Sequence, residues 1–384
     1  MKIVYIGSFP PDFMVERSGG KIDSLYRAHN PLIRGLREHP DVVLNVITSP
    51  DIASWPRGPF FIHKEYNRVE EVTLVSSLNI SFLKQVWTIA SMVREANKII
   101  RQSKEPVVVM IPYMVFRHVF TLRLLKLLHP KVVFQACVIP DVFFPDGRLA
   151  KRVNHWTERM ASKFDAFVLY TEKMAEHLHV MKGKYEVIEG FRELLDRKPN
   201  KGGKFSVVYA GSLNMNYGIG RLVDAMRLIE DEDVQLHLYG SGTGEQYIRD
   251  ASQKDSRIVY HGKVPNAVAT DAIYSATVLI NPRNAKDGTF TEYSFPSKDI
   301  EYMATGIPTL LCQLPGMPKE YNGHFIDIGD GQPKEIADAL IIVKKMSEAE
   351  RRELGKESRE FIAERMNYKK QTNRIVSLLQ RNLI

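Results

Sequence analysis

The chain alternates short runs of β-branched and aliphatic residues with longer stretches in which apolar positions recur every three or four residues. The runs lie at residues 2–6, 42–47, 107–111, 132–138 and 166–170, and again at 205–210, 234–239, 257–260, 277–280, 308–311 and 324–328. Strands of this length separated by amphipathic helices predict βαβ units and mainly parallel sheets. Leu83, Val86, Trp87, Ala90 and Val93 mark one helical stripe, Phe120, Leu124 and Leu127 a second, and Leu222, Val223, Ala225, Met226 and Ile229 a third. The series falls into two similar α/β halves. Between them, residues 192–204 are polar and charged and carry Pro199, Gly202 and Gly203, which is linker composition. The expected domains are 1–190 and 203–366. Ser347 and Glu350 form a capping box that opens a helix to about residue 366, and a last amphipathic helix covers about 367–384.

A chain of 384 residues with 44% hydrophobic and 26% charged positions is an ordinary globular composition, and too long for one core. Basic residues outnumber acidic ones, 53 to 45, for a net charge of +8. The excess is uneven: residues 1–190 hold 26 basic against 19 acidic side chains, the remainder 27 against 26. This is too mild for a nucleic-acid binder, and no nucleic-acid partner is expected. The two cysteines, Cys137 and Cys312, each lie in an apolar run, which excludes a disulfide framework and predicts a reducing, cytoplasmic compartment. The first apolar run stops at Pro10 and Pro11 and reads as a strand rather than a signal peptide. The longest, residues 107–116, is about half the ~20 needed to span a bilayer and contains Pro112, so membrane contact is expected to be peripheral only. Arg117, His118, Arg123, Lys126, Lys131, Arg148, Lys151, Arg152 and Arg159 form the core of the basic excess. They suit either anionic headgroups and a lipid-diphosphate acceptor, or a merely solubilising face.

Candidate chemistry sits where strands run into glycine-rich turns. After the first strand, Gly19 and Gly20 precede a helical pattern, which suits either an anion or sugar loop or a surface turn. In the second half, Gly211 and Ser212 follow one strand, with Tyr217 and Gly218 before a helix, and Gly240 follows the next strand. Two such turns in one domain suggest a nucleotide crevice, although βα loops often carry glycine for structural reasons alone. The densest stretch begins with Arg283 and runs through Glu292, Tyr293, Ser297, Lys298 and Glu301. Ser297 at a helix head offers free N–H groups and Lys298 a cation, as a diphosphate requires, and Glu301 suits a ribose diol. The alternative is a helix-dipole glutamate beside a solvated lysine. The histidines offer no metal-ligand pair: His177 and His179 sit two apart on an expected helix and face apart. Asp231, Glu232 and Asp233 imitate a metal-binding acidic triplet but fall between a helix and a strand, as a solvated turn.

The run from Phe295 to Pro308, with the segments 209–213, 214–219 and 165–176, resembles the family-4 retaining glycosyltransferases of the GT-B fold, in their bacterial surface-polysaccharide branch. The likeness covers nearly the whole chain. It implies two Rossmann-like domains facing a central cleft, with the C-terminal helix crossing back to the N-terminal domain. The donor nucleotide-sugar, UDP- or GDP-linked, would bind the second domain, and a glycan or lipid-linked acceptor the first. No metal or further cofactor is implied.

On this sequence, Glu301 matches the family's second glutamate and should bind the ribose. Tyr293 stands where the first glutamate would fall, with Glu292 one place earlier. Ser212 and Tyr217 replace the usual Arg and Lys, so Arg283 and Lys298 are the candidates for the diphosphate charge. Asp141, after Ile139 and Pro140, stands where the family has a histidine and is a catalytic candidate, for holding a sugar hydroxyl. The expected activity is retaining transfer at the inner face of the cell membrane. Its rivals are a nucleotide-sugar epimerase of the same fold and a catalytically silent nucleotide-sugar-binding partner subunit. Neither sugar, base, linkage nor oligomeric state follows from these residues.

Overall fold

The structure, a computed structural model, describes residues 1–8, 24–49, 52–113, 115–139, 148–161, 163–191, 194–195, 197, 199, 204–293 and 296–383. It divides into one unit of Met1–Phe191 with Tyr368–Ile384 and a second of Arg192–Asn367.

The first unit runs β1 (Lys2–Gly7), α1 (Ser24–Glu38), β2 (Val43–Thr48), β3 (Phe61–Ile62), β4 (Glu65–Asn67), β5 (Val72–Leu74), β6 (Ser77–Leu78), α2 (Ser81–Gln102), β7 (Val107–Tyr113) and α3 (Phe116–Leu128). It continues with β8 (Val133–Ile139), α4 (Arg148–Ala161), β9 (Ala166–Leu169), α5 (Glu172–His177) and β10 (Tyr185–Val187). Its main sheet has the order β10-β9-β8-β7-β1-β2-β5-β4, parallel except for β4, while β3 and β6 pair as a small antiparallel ribbon. Ile3, Val4, Tyr5 and Ile6 are all buried, the sign of a central strand covered on both faces. The short strands β3 to β6 and β10 carry too few residues to show a period, and the sequence reading does not contain them.

Periodicity placed helices α2 and α3 correctly but chose the wrong face of each. Leu83, Val86 and Trp87 are exposed, and so is Leu127; the buried positions are Lys84, Thr88, Ile89 and Met92 on α2 and Val119, Thr121, Leu122 and Leu125 on α3. The inward polar groups are tolerated because they are hydrogen-bonded: Thr88 meets Ser77 at 2.9 Å, Thr121 donates to the Arg117 carbonyl at 2.8 Å, and Lys84 donates to the Ile52 carbonyl.

The second unit runs β11 (Phe205–Ala210), α6 (Ile219–Met226), β12 (Val234–Tyr239), α7 (Glu245–Ser252), β13 (Ile258–Gly262), α8 (Asn266–Tyr274), β14 (Val278–Asn281) and α9 (Ser297–Met303). Then come β15 (Thr309–Leu311), β16 (Ile326–Asp327), α10 (Pro333–Lys345) and α11 (Glu348–Arg365). All six strands are parallel, in the order β13-β12-β11-β14-β15-β16. Here the apolar stripe of α6 does face the core. The expected capping box is present at the head of α11, with Glu350 N–H donating to Ser347 Oγ at 3.2 Å. Of the linker-like stretch, the Leu195 carbonyl accepts from Arg359 at 2.8 Å and Arg197 pairs with Asp271 at 2.7 Å, so these residues are fastened to the second unit.

The last helix, α12 (Tyr368–Arg381), belongs to the first unit, where Ile375, Val376, Leu378 and Leu379 join the cluster of Leu32, Ile33 and Leu36 from α1. Gly35 permits this approach, since a Cβ there would lie 2.1 Å from Thr372 Oγ1. Glu186 accepts from Arg374 at 2.9 Å and from Arg381 at 2.8 Å.

Candidate functional site

In an open parallel sheet, ligands bind outside the strand C-termini where the strand order reverses. In the second unit that point lies between β11 and β14, since β11 pairs with β12 on one side and β14 on the other. Most of the described candidates from sequence collect around it. Gly211 and Ser212 directly follow β11, and Arg283 follows β14 by two residues.

Lys298 lies in the first turn of α9 and reaches back to donate to the Ala210 carbonyl at the end of β11. Gly211 makes room for it: a Cβ at 211 would stand 2.5 Å from Lys298 Cε. The buried Tyr302 hydroxyl holds α9 in place by accepting from the Ala210 N–H at 2.8 Å. The ammonium lies 5.2 Å from the Tyr302 ring centre and 3.9 Å from the Glu301 carboxylate. Desolvation raises both Tyr209 and Tyr302 far above the ordinary phenol range, so both stay neutral.

Arg283 stacks on Tyr217, its guanidinium carbon 3.9 Å from the ring centre. Gly218 makes this geometry accessible. It has φ +79°, and a Cβ there would stand 2.4 Å from the Pro282 carbonyl oxygen, so the 3-10 turn Met215–Tyr217 can lie against the segment carrying Arg283. That segment is itself clamped. Arg221 on α6 binds both carboxylate oxygens of Asp287 at 3.0 and 2.9 Å and the Pro282 and Gly331 carbonyls at 3.0 and 2.9 Å. A cation on a tyrosine face is stabilised by roughly 0.5–2 kcal/mol, enough to hold one orientation of the guanidinium. The place where resemblance expects a lysine therefore carries a tyrosine with an arginine on it.

Gly240, at φ +134°, touches Gly211 backbone to backbone; a Cβ on it would lie 1.8 Å from the Gly211 carbonyl oxygen. Its glycine requirement is thus accounted for by strand-end packing. Ser212 is exposed and Ser297 is exposed at the head of α9, while Glu292 and Tyr293 close the 3-10 turn Thr289–Glu292 and are half-buried. Gly19, Gly20 and Asp141 lie outside the described residues.

Residues that the sequence reading passed over also belong to this neighbourhood. Asp299 is buried and accepts from Asn281 Nδ2 at 2.6 Å. Burial pushes its carboxyl up to about 7, against the opposing effects of the Asn281 bond and of Arg283 and Lys298. Its position beside Lys298 was visible, but nothing in the spacing says that it points inward.

The first unit has its own reversal, between β1 and β7. Ser8, just after β1, accepts from Arg117 at 2.6 Å and meets His118 Nε2 at 2.8 Å. Arg117 and His118, grouped above with a surface charge excess, are 7% and 0% exposed. Lys126 is likewise engaged, with Asp165 at 2.9 Å. Lys131, Lys151, Arg152 and Arg159 do face solvent.

Asp231 and Asp233 pair with Lys344 from α10, so the acidic triplet is a surface clasp. His179 lies beyond the end of α5, with φ +53°, rather than on the expected helix. Among the described residues, no group of three or more His, Cys, Asp or Glu is placed to hold a metal ion, and no helix is long and apolar enough to cross a membrane.

Two Rossmann-like units on one chain, with the last helix packed on the first unit, make up the GT-B fold. Residues 204–344 match the family described as Glycosyl transferases group 1, so the second unit carries a domain of that family. Solved structures share the fold over nearly the full length. Sucrose-phosphate synthase from Thermosynechococcus elongatus is 15% identical with a TM-score of 0.66, covering 99% of this chain and 98% of that one. HepE from Anabaena, solved with UDP and glucose, is 13% identical with a TM-score of 0.64, covering 99% of both. The lipopolysaccharide outer core galactosyltransferase WaaB is 14% identical with a TM-score of 0.62, covering 98% of this chain and 99% of that one. No curated protein matches the sequence significantly.

Proposed function

We propose that the protein is a retaining glycosyltransferase that moves a sugar from a nucleotide-sugar, UDP- or GDP-linked, to a glycan or lipid-linked acceptor in surface polysaccharide synthesis. The second unit binds the donor and the first the acceptor. The observation that carries this reading is the pair of cations at the β11/β14 reversal, Lys298 held at the end of β11 and Arg283 held on Tyr217. They supply positive charge where a departing diphosphate would develop negative charge, and oriented charge of this kind is a large term in catalysis. Glu301 accepts from the ribose diol. The bond between the anomeric carbon and the diphosphate oxygen breaks, the acceptor oxygen bonds the same face of that carbon, and its proton passes to the departing oxygen. Side chains meet the charge in this scheme, and no metal or cofactor is assigned a step.

The UDP and glucose of the HepE complex, and the lipopolysaccharide role of WaaB, support a UDP-sugar donor and a surface-glycan acceptor. Exposed Phe116 and Trp156, 5.4 Å apart, with exposed Lys151 and Arg152 on the same helix as Trp156, suit peripheral contact with an anionic membrane at its cytoplasmic face.

The test is a panel of UDP-, GDP-, ADP- and dTDP-sugars, with and without acceptor glycans and anionic vesicles, read by released nucleotide and by the anomeric configuration of the product. Release with retention from one donor is expected. Sugar interconversion without release would make the protein an epimerase, and binding without either product would make it a silent partner subunit.

A further inference from the structure

Asp299 stands inside the donor-site architecture, yet no step of the proposed transfer uses it. It is 2% exposed, and Asn281, which donates to its Oδ1 at 2.6 Å, is 4% exposed. That one bond joins α9 to the end of β14 between the two candidate cations: Lys298 directly precedes Asp299, and Arg283 follows Asn281 by two residues.

The groups facing this carboxyl come from four elements. Arg283 after β14 and Lys298 on α9 favour its ionised form. Tyr209 on β11, Tyr302 on α9 and the Cys312 thiol after β15 are all pushed upward and stay neutral near pH 7. Glu301 adds negative charge beside Tyr302. Burial outweighs the cations and holds Asp299 up to about 7, so at neutral pH it stands between its two forms.

The diphosphate of a nucleotide-sugar is a diester that stays doubly negative through the neutral range and has no ionisation of its own there. Set against Arg283 and Lys298, it offsets the field that keeps Asp299 ionised and repels the carboxylate directly. We propose that Asp299 is a positioning residue that ties the two cation-bearing segments together and takes up a proton from solvent when the donor diphosphate binds. The inference rests on the donor reading above. The proton ends on the Asp299 carboxylate, and no other bond is made or broken. Donor binding is therefore tighter on the acid side of neutrality, because the form that binds best is the protonated one.

The experiment is titration calorimetry of the full chain with UDP-, GDP-, ADP- and dTDP-glucose, in phosphate and in Tris at matched pH, so that proton exchange appears as a difference in heat. For the donor that binds, uptake of about half a proton or more is expected near pH 8 and close to none at pH 6, with affinity falling about tenfold from pH 6 to pH 8.5. Asp299→Asn keeps an acceptor for Asn281 but does not titrate, so uptake vanishes and affinity becomes independent of pH. Asn281→Ala removes a bond that favours the carboxylate, so the window of uptake moves to higher pH. A purely structural role for Asp299 moves neither. Donor binding without buffer-dependent heat at pH 8, or uptake that survives in Asp299→Asn, would overturn the inference and leave the donor reading standing. Failure of all four nucleotide-sugars to bind would overturn both. Absence of uptake in the wild type overturns the inference without any variant, and its presence is assigned to Asp299 by its loss in Asp299→Asn.

Discussion

The two sheet reversals of this chain share a topology and differ in what fills them. In the first unit, Ser8 at the end of β1 is buried and hydrogen-bonded to the buried Arg117 and His118 in the first turn of α3. In the second, the residue after β11 is a glycine, and the cations around it remain partly open, with Lys298 24% exposed in its side chain. A serine in the first position meets buried polar neighbours, whereas a glycine in the second leaves room for a lysine to cross it. The helices behave in opposite ways too. The apolar stripe of α6 is buried in the second unit, while those of α2 and α3 face outward in the first. A reversal point is therefore only a place where chemistry can sit, and the side chains decide whether it is open to a ligand.

The largest expected effect comes from removing the open charge. Lys298→Ala should lower nucleotide release about a hundredfold, ~2.7 kcal/mol of barrier, with folding intact by circular dichroism. A rate within about threefold of wild type would remove Lys298 from the chemistry. Next is the first reversal: Ser8→Ala takes away an acceptor of Arg117 and a partner of His118. It should cost about 2 kcal/mol of stability in denaturant unfolding while leaving nucleotide-sugar affinity unchanged. A loss of donor affinity without loss of stability would erase the contrast between the reversals. The smallest is Tyr217→Leu, which removes the ring beneath Arg283 and should raise the donor KM about threefold to fivefold, ~1 kcal/mol. An unchanged KM would mean that the Tyr217 ring does not orient Arg283 for the donor.

Much of the fold was readable because strand and helix periods are local. The first five strand runs and the whole second series fall on observed strands, and Ser347 caps its helix through the residue three places on. The short strands β3 to β6 and β10 were not readable, since two or three residues cannot display a period of two. The inward faces of α2 and α3 were misjudged because burial there is secured by hydrogen bonds as well as by apolar area, and Thr88 or Thr121 cannot advertise its partner in sequence. At the site, glycines after strands and a lysine at a helix head could be picked out. The pairing of Asp299 with Asn281 could not, because the two residues are 18 apart and meet only when α9 folds back on β14.

The order of residues alone determined the alternation of strands and helices, the two-fold repetition of an α/β unit and the uneven charge, since all follow from spacing and composition. Only the tertiary structure decided that Gly240 is glycine because Gly211 lies against it, that Arg283 rests on Tyr217, and that Arg117 and His118 are inside. These depend on groups far apart in the chain competing for the same few cubic ångströms and for each other's hydrogen bonds, and that competition is resolved only when the chain is packed.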